Sequence, residues 1–331
     1  MRIALDAMGT DQAPVSEVAG AVAALKELGG DLEITLVGDR SAVEAELARY
    51  DGFPVQRLRI HHASDRVRPG DAPSAVVRKR PESSIVVGLR LQKEGQADAF
   101  VSAGSTGAVM AASLFILRPL EGVARPTVGT VLPTAGPPIL MVDAGANVDC
   151  KPHHLLQFAH LGHIYAQDML GRRSPRIGLL NIGEEPEKGD ELALETHRLL
   201  AASRLNFVGN LEGRDIIQGA CDVLVCDGFV GNVLLKFYES VAGFVIELLR
   251  KELAQKWDEL DLQEVFRVLD YSEYGGAPLL GVNGVSIICH GESTPKAVQN
   301  AIRVAAQAVR SSMVAHMTKE LSVALRGAEE A

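Results

Sequence analysis

Apolar runs of strand length recur along this chain, many followed by a glycine-rich or acidic loop and then a helical period. Arg2–Asp6 reads as a strand, and beyond Ala7–Pro14 the positions Val15, Val18, Val22 and Leu25 mark one helix face. Leu32–Val37 ends at Gly38-Asp39, and Ser41-Ala-Val-Glu44 has the form of a capping box opening the next helix. Arg57–His61 is a third strand, and Ala97–Val101 runs through Ser102–Gly107 into a helix. Pro138–Val142 ends at Asp143-Ala-Gly-Ala-Asn147, with a long helix predicted from Pro152 to Leu170. Arg176–Leu180, Asp222–Cys226 and Val285–Cys289 end at Asn181-Ile-Gly183, Asp227-Gly228 and His290-Gly291. Thr294-Pro295 then supplies an N-cap and an N1 proline for a terminal helix.

Continuous β-branched runs alternating with helices predict an α/β fold, a mainly parallel sheet covered by helices on both faces. At 331 residues the chain exceeds the usual single core, so one large catalytic domain, or two fused lobes, is expected over 1–331. No repeat, low-complexity stretch or linker divides it. The segment 232–270 differs in character: it is helical, with little strand signal. Val241, Phe244, Val245, Ile246, Leu248 and Leu249 cover more than one helix face, which predicts burial on several sides, in a core, a dimer seam or against lipid.

Composition narrows the classes. Apolar residues are 47% and charged residues 23%, enough for a globular core. A net charge of −9, spread along the chain, disfavours nucleic acid as a partner, because a phosphate backbone needs a clustered basic face. Four cysteines without a CxxC pair make neither a disulfide framework nor a zinc ribbon, and a reduced cytoplasm fits them. The opening strand leaves no room for a signal peptide. Ala99–Leu117 and Pro126–Val142 are uncharged, but the first carries a Ser/Gly/Thr cluster and the second four prolines. Neither reads as the ~20-residue apolar span a membrane helix needs.

The polar residues sit where strands end. Asp6, Gly9 and Asp11; Ser102, Gly104, Ser105, Thr106 and Gly107; Asp143, Gly145 and Asn147; Asn181 and Gly183; Asp227 and Gly228; and His290 each follow a predicted strand. In open α/β sheets the ligand crevice lies outside the carboxyl ends of the strands, so these loops are expected to converge. Ser102–Gly107 before a helix suits an anion, or is an ordinary turn with a Ser/Thr cap. No GxxxxGK[ST] occurs, nor a GxGxxG after the first strand, so neither ATP hydrolysis nor nicotinamide chemistry is favoured.

Lys188 stands among carboxylates as a point charge for phosphate or as a solvated lysine. Asp6, Asp143 and Asp227 read as general bases or as caps of their own loops. His290 is a catalytic candidate at a strand end. Cys150 is more simply a small thiol than a covalent nucleophile. Arg78-Lys79-Arg80 stands out in an acidic chain, either as a solvated helix end or as a dock for an acidic partner.

Taken together, Met1–Gly9, Ser102–Ala108, Asp143–Cys150, Leu180–Glu184, Val225–Val233 and Tyr274–Ala277 resemble the PlsX phosphate acyltransferases in order and spacing, over nearly the whole chain. The resemblance implies a three-layer fold like that of isopropylmalate dehydrogenase and phosphotransacetylase, with a protruding helical segment. It implies a cytoplasmic homodimer, peripherally associated with the membrane through a helical tip. It also implies acyl transfer from acyl-carrier protein to inorganic phosphate, with the acyl phosphate passed to a membrane-bound glycerol-3-phosphate acyltransferase. No cofactor and no metal are implied.

The chain departs from the family pattern at Thr10, where a glycine is usual, at Gln12, often histidine, and at Ser105, usually asparagine. A direct attack would place phosphate in Ser102–Gly107, helped by Lys188, with backbone N–H groups or a side-chain amide such as Asn147, Asn181 or Asn232 as donors to the oxyanion. The rivals are a short-chain phosphotransacetylase using coenzyme A thioesters, a decarboxylating dehydrogenase, and a non-catalytic scaffold for carrier protein at the membrane.

Overall fold

The computed structural model describes residues 1–68, 70–252 and 275–329. Its strands are β1 (Arg2–Asp6), β2 (Glu33–Gly38), β3 (Leu58–His62), β4 (Ala99–Ser102), β5 (Thr127–Leu132), β6 (Ile139–Val142), β7 (Ile177–Leu180), β8 (Phe207–Leu211), β9 (Val223–Val225), β10 (Ala277–Leu280) and β11 (Val285–Ile288). Its helices are α1 (Val15–Leu28), α2 (Arg40–Leu47), α3 (Val76–Lys79), α4 (Ser84–Lys93), α5 (Thr106–Ile116), α6 (Pro152–Leu170), α7 (Glu191–Ala202), α8 (Gly213–Gln218), α9 (Gly228–Glu252), α10 (Pro295–Arg310) and α11 (Met313–Glu329).

The described residues form two compact units. The first draws on Met1–Val128, Gln167–Gly171 and 275–329, the second on Gly129–Ala166 and 172–252.

In the first unit the strand order is β3-β2-β1-β4-β11-β10, and Thr127 and Val128 of β5 pair with β10. Every residue of β4 and β11 is buried, so the centre of this sheet is covered on both faces. The pairs α1–α10 and α4–α5 supply that cover. Small residues permit the close packing: a side chain on Gly20 would meet Pro295 and Val298 of α10, and one on Gly88 would meet the Phe100 ring. Leu5, Ile34, Leu36, Ile85, Leu89 and Phe100 are fully buried here. Each such side chain contributes about 1.5–3 kcal/mol of transfer free energy.

In the second unit Gly129–Leu132 of β5 pairs with β6, and the order continues β6-β9-β7-β8. The pairings are parallel except where β5 or β10 takes part. These two strands, and β8, are absent from the hydrophobic pattern: β5 follows Pro126, β10 contains Pro278, and β8 is interrupted by Gly209 and Asn210.

Local capping differs from expectation at α2. Asp39, leaving β2 extended, is the N-cap and accepts from the Ala42 amide at 2.9 Å, so the Ser41–Glu44 box does not form. Thr294 and Pro295 begin α10 as expected, with the Thr294 hydroxyl accepting from Ala297.

The helix α9 lies differently from the others. It begins at Gly228, and of the 232–270 segment residues 253–270 lie outside the described residues, as does Tyr274. In the single chain Phe229, Val233, Phe237, Val241, Phe244 and Leu248 are exposed and form one stripe, so of the covers expected for this helix the chain's own core does not supply the one along this face. An apolar helix face demands a partner, but the demand does not say that the same chain supplies it. Among the described residues Gly228–Leu249 is long and apolar enough, by length and composition alone, to cross a membrane.

Candidate active site

Of the six loops expected to converge, three fall in each unit. In the first unit the loops after β1, β4 and β11 meet. Asp6, buried at the end of β1, accepts from Ser102 Oγ at 2.7 Å and from the Met8 amide at 3.0 Å. Ser102 Oγ in turn accepts from the Gly104 amide at 3.0 Å. Burial pushes the Asp6 carboxyl above its ordinary value, with hydrogen bonds from Ser84, Ser102 and Met8 opposing.

Gly9 lies so close to the β4 loop that a Cβ would stand 2.7 Å from the Gly104 nitrogen and 2.9 Å from Ala103 backbone atoms, so only glycine fits there. The Asp11 amide donates to the Gly291 carbonyl at 2.9 Å, bringing in the loop after β11. The carboxylate of Asp11 is exposed.

Ser105 is the N-cap of α5, yet its side chain makes no capping hydrogen bond. It and Thr106 are exposed, and Gly107 lies against Pro73. The first turn of α5 therefore presents amide donors, two hydroxyls and the positive end of a helix dipole without a capping side chain. His290 is exposed at the end of β11, where its Nδ1 accepts from the Glu292 amide at 3.2 Å, ordering its own loop.

In the second unit the loops after β6 and β9 meet. Asp143, fully buried, accepts from the amides of Gly145, Ala146 and Asn147 at 3.2, 3.0 and 2.7 Å, and from Asn147 Nδ2 at 2.8 Å. Asp227 accepts from Phe229 and Val230 at 2.9 and 3.1 Å, capping α9. The Gly228 amide donates to the Asn147 carbonyl at 2.8 Å, and Asn232 packs against Gly145. All three strand-end aspartates thus cap their own loops. Cys150 donates its thiol to the Asn147 carbonyl at 3.4 Å. The buried Cys226 thiol, its pKa raised well above the usual range by burial, holds its proton at neutral pH.

The loop after β7 folds on itself. Asn181 Nδ2 donates to the Lys188 carbonyl at 3.0 Å, and Gly183 sits beneath the Lys188 side chain. Asn210 of β8 anchors this loop through the Glu185 carbonyl at 2.8 Å. Asn147 and Asn181 both spend their amide donors on the protein. Asn232 is exposed, with no side-chain hydrogen bond among the described residues, and Lys188 is exposed with no ion pair among them.

The basic run divides. Arg78 and Lys79 are exposed, whereas Arg80 pairs with both Asp65 and Asp71 at 3.1 Å, so its charge is compensated inside the fold. Arg80 is not a free docking cation.

One residue of the first cluster carries no mark in the sequence pattern. Glu17 in α1 is 0% exposed and accepts from the Thr10 amide at 2.6 Å and the Thr10 hydroxyl at 3.0 Å. Burial pushes its carboxyl up to about 7. The available signal was its helical spacing, since Glu17, Ala21 and Ala24 share one buried face.

Strand-end loops gathered beside an uncapped helix N-terminus define an α/β protein of the phosphotransacetylase fold. A phosphotransacetylase from Streptococcus pyogenes matches with a TM-score of 0.61 at 21% identity, over 94% of each chain. A branched-chain phosphotransacylase from Enterococcus faecalis V583 matches with a TM-score of 0.58 at 17% identity, over 93% of this chain and 99% of that one. At such identities the likeness is one of fold.

Sequence carries the assignment further. Residues 1–316 match the family model described as fatty acid synthesis protein. The phosphate acyltransferase of Desulforamulus reducens is 49% identical over 97% of both chains, and that of Geobacter sulfurreducens 47% identical over 97% of this chain and 94% of its own. The chain belongs to this family, the PlsX phosphate acyltransferases.

Proposed function

We propose that this protein transfers a fatty acyl group from the thioester of acyl-carrier protein to inorganic phosphate. A phosphate oxygen attacks the thioester carbonyl, the C–S bond of the tetrahedral intermediate breaks, and acyl phosphate and the carrier thiol leave. The observation that carries the reading is the uncapped N-terminus of α5 behind Ser102–Gly107, held by the Asp6–Ser102–Gly104 chain. Phosphate at neutral pH is already anionic, so the chemistry asks mainly for orientation and for donors to the oxyanion. That agrees with aspartates occupied in loop capping.

In the second unit Asn232 and Lys188 have polar ends that no described residue engages, and they are its proposed contributors. Arg78 and Lys79 are the proposed dock for the acidic carrier protein. The exposed stripe of α9 supports contact with a second copy or a membrane surface. Such contact suits delivery of the product to a membrane-bound glycerol-3-phosphate acyltransferase.

The test is phosphate-dependent consumption of palmitoyl-acyl-carrier protein, with the product trapped by hydroxylamine as a hydroxamate. Turnover requiring both substrates supports the reading. Turnover with short-chain coenzyme A thioesters in place of acyl-carrier protein would move it to the phosphotransacetylases. Binding of carrier protein without turnover would leave a scaffold.

A further inference from the structure

Glu17 has no part in the transfer chemistry, yet it is a buried carboxylate aimed at the loop on which that chemistry depends. Thr10 lies between two contacts that build the first cluster. On one side Gly9 is pressed against Ala103 and Gly104, and on the other the Asp11 amide bonds to Gly291. Glu17 holds Thr10 from below by two hydrogen bonds, to its amide and to its hydroxyl. The loop adds its own turn bonds, Ala13 to Thr10 and Val15 to Gln12. Neither reaches the β4 side: Asp6 ties Met8 to Ser102 where the loop begins, and Glu17 is the side chain that holds Thr10 in its middle, beside the contact of Gly9 with Gly104.

The residue at position 10 makes this possible. Thr10 does not adopt positive φ; among the described non-glycine residues only Arg118 and Ser312 do. The fold therefore accommodates threonine where the family pattern has glycine, and its hydroxyl gives the second Glu17 oxygen a donor. A glycine there would leave that oxygen without this bond in a buried setting.

We propose that Glu17 is a positioning residue for phosphate binding, acting through Thr10 on the loop that packs against Gly104. This rests on the reading that phosphate binds at Ser102–Gly107. Glu17 touches no reacting atom. Its effect falls on phosphate, because the loop it steadies borders the α5 N-terminus.

The experiment compares Glu17→Ala and Glu17→Gln with the wild-type enzyme, varying phosphate and palmitoyl-acyl-carrier protein separately. Glutamine keeps an acceptor for the Thr10 amide and offers its own amide to the Thr10 hydroxyl. Glu17→Ala is expected to raise the phosphate KM about tenfold, with the thioester KM within about twofold of wild type. Glu17→Gln is expected to recover the phosphate KM to within about threefold.

A merely structural role would lower Tm and the active fraction, and would leave both KM values unchanged; that result overturns the proposal. Should Glu17→Ala not fold, Thr10→Val, which keeps the shape and drops the hydroxyl, takes its place, with an unchanged phosphate KM again the contrary result.

The rise in Tm on adding inorganic phosphate alone separates this proposal from the transfer reading. A rise in the wild type that is lost in Glu17→Ala supports positioning even if no acyl transfer is found. The same rise in both proteins overturns it even if transfer is found.

Discussion

Ser102 Oγ donates to Asp6 Oδ2 at 2.7 Å while accepting from the Gly104 amide at 3.0 Å, so one hydroxyl couples the end of β1 to the turn that enters α5. Asp6 is buried, and without that donor it keeps only the hydrogen bonds from Ser84 and Met8. Ser102→Ala should cost about 1–3 kcal/mol of stability, the range for a buried polar group left short of a partner. The phosphate KM should rise with it, because Gly104 loses its acceptor. Urea unfolding beside phosphate saturation curves checks both, and a variant unchanged in each would show that Ser102 does not couple the two strands.

Stability should depend on pH through Glu17, which the titratable groups Asp6 and Cys289 face from β1 and the end of β11. Its ordinary value is 4.5 and its folded value about 7. Below 4.5 the carboxyl is protonated in both folded and unfolded chains and imposes no cost. As pH rises the unfolded chain releases its proton first, so folding becomes progressively less favourable until pH exceeds about 7. Once the carboxyl is ionised in both states, keeping its charge buried costs the fold about 3 kcal/mol. Glu17→Gln removes that dependence. Its Tm relative to wild type should climb by several degrees between pH 5 and pH 8, and a gap that stays constant would contradict this account.

Gly231, in the first turns of α9, has no room for a side chain. A Cβ there would collide with the Asp143 carbonyl oxygen and approach the Cys226 sulfur at 3.0 Å. Gly231→Ala must push α9 away from the β6 loop, at about 1–3 kcal/mol or more. Calorimetry should find a lower Tm, whereas Gly243→Ala, with nothing near its Cβ, should be neutral or slightly stabilising.

Direct attack by phosphate makes no use of a thiol. Cys150→Ala should therefore retain wild-type kcat within about threefold, and acid quench during turnover should yield no labelled acyl protein. Recovery of a stoichiometric acyl-enzyme from the wild type would replace this mechanism with a two-step one.

The basic run should separate by function. Arg80→Ala strips Asp65 and Asp71 of their shared partner and should lower Tm. Arg78→Ala and Lys79→Ala should leave Tm alone and raise the KM for acyl-carrier protein, more strongly at low salt. Equal effects of all three on Tm would remove the docking assignment.

Much of this was legible because it is local. Strand ends were marked by an aspartate or glycine following a β-branched run, and α10 by Thr294-Pro295. What escaped depends on partners distant in sequence. Arg80 looked free because its counter-charges lie 9 and 15 residues away. Glu17 carries no mark of its own, because the helix dipole favours an acid in a first helical turn whatever that acid contacts. β10 pairs between β5 and β11, an arrangement that leaves no trace in the periodicity of four residues, one of them Pro278. For α9 the apolar pattern was real, but pattern alone says how much surface seeks cover and not where the cover comes from.

The Thr10–Glu17 pair also makes two positions seven residues apart depend on each other. With threonine already present, a glutamate arriving at position 17 finds two donors waiting. With glycine at position 10, the same glutamate would be buried without the hydroxyl donor. Position 10 is thus committed to a hydroxyl for as long as glutamate occupies position 17, and neither residue can be exchanged without regard to the other.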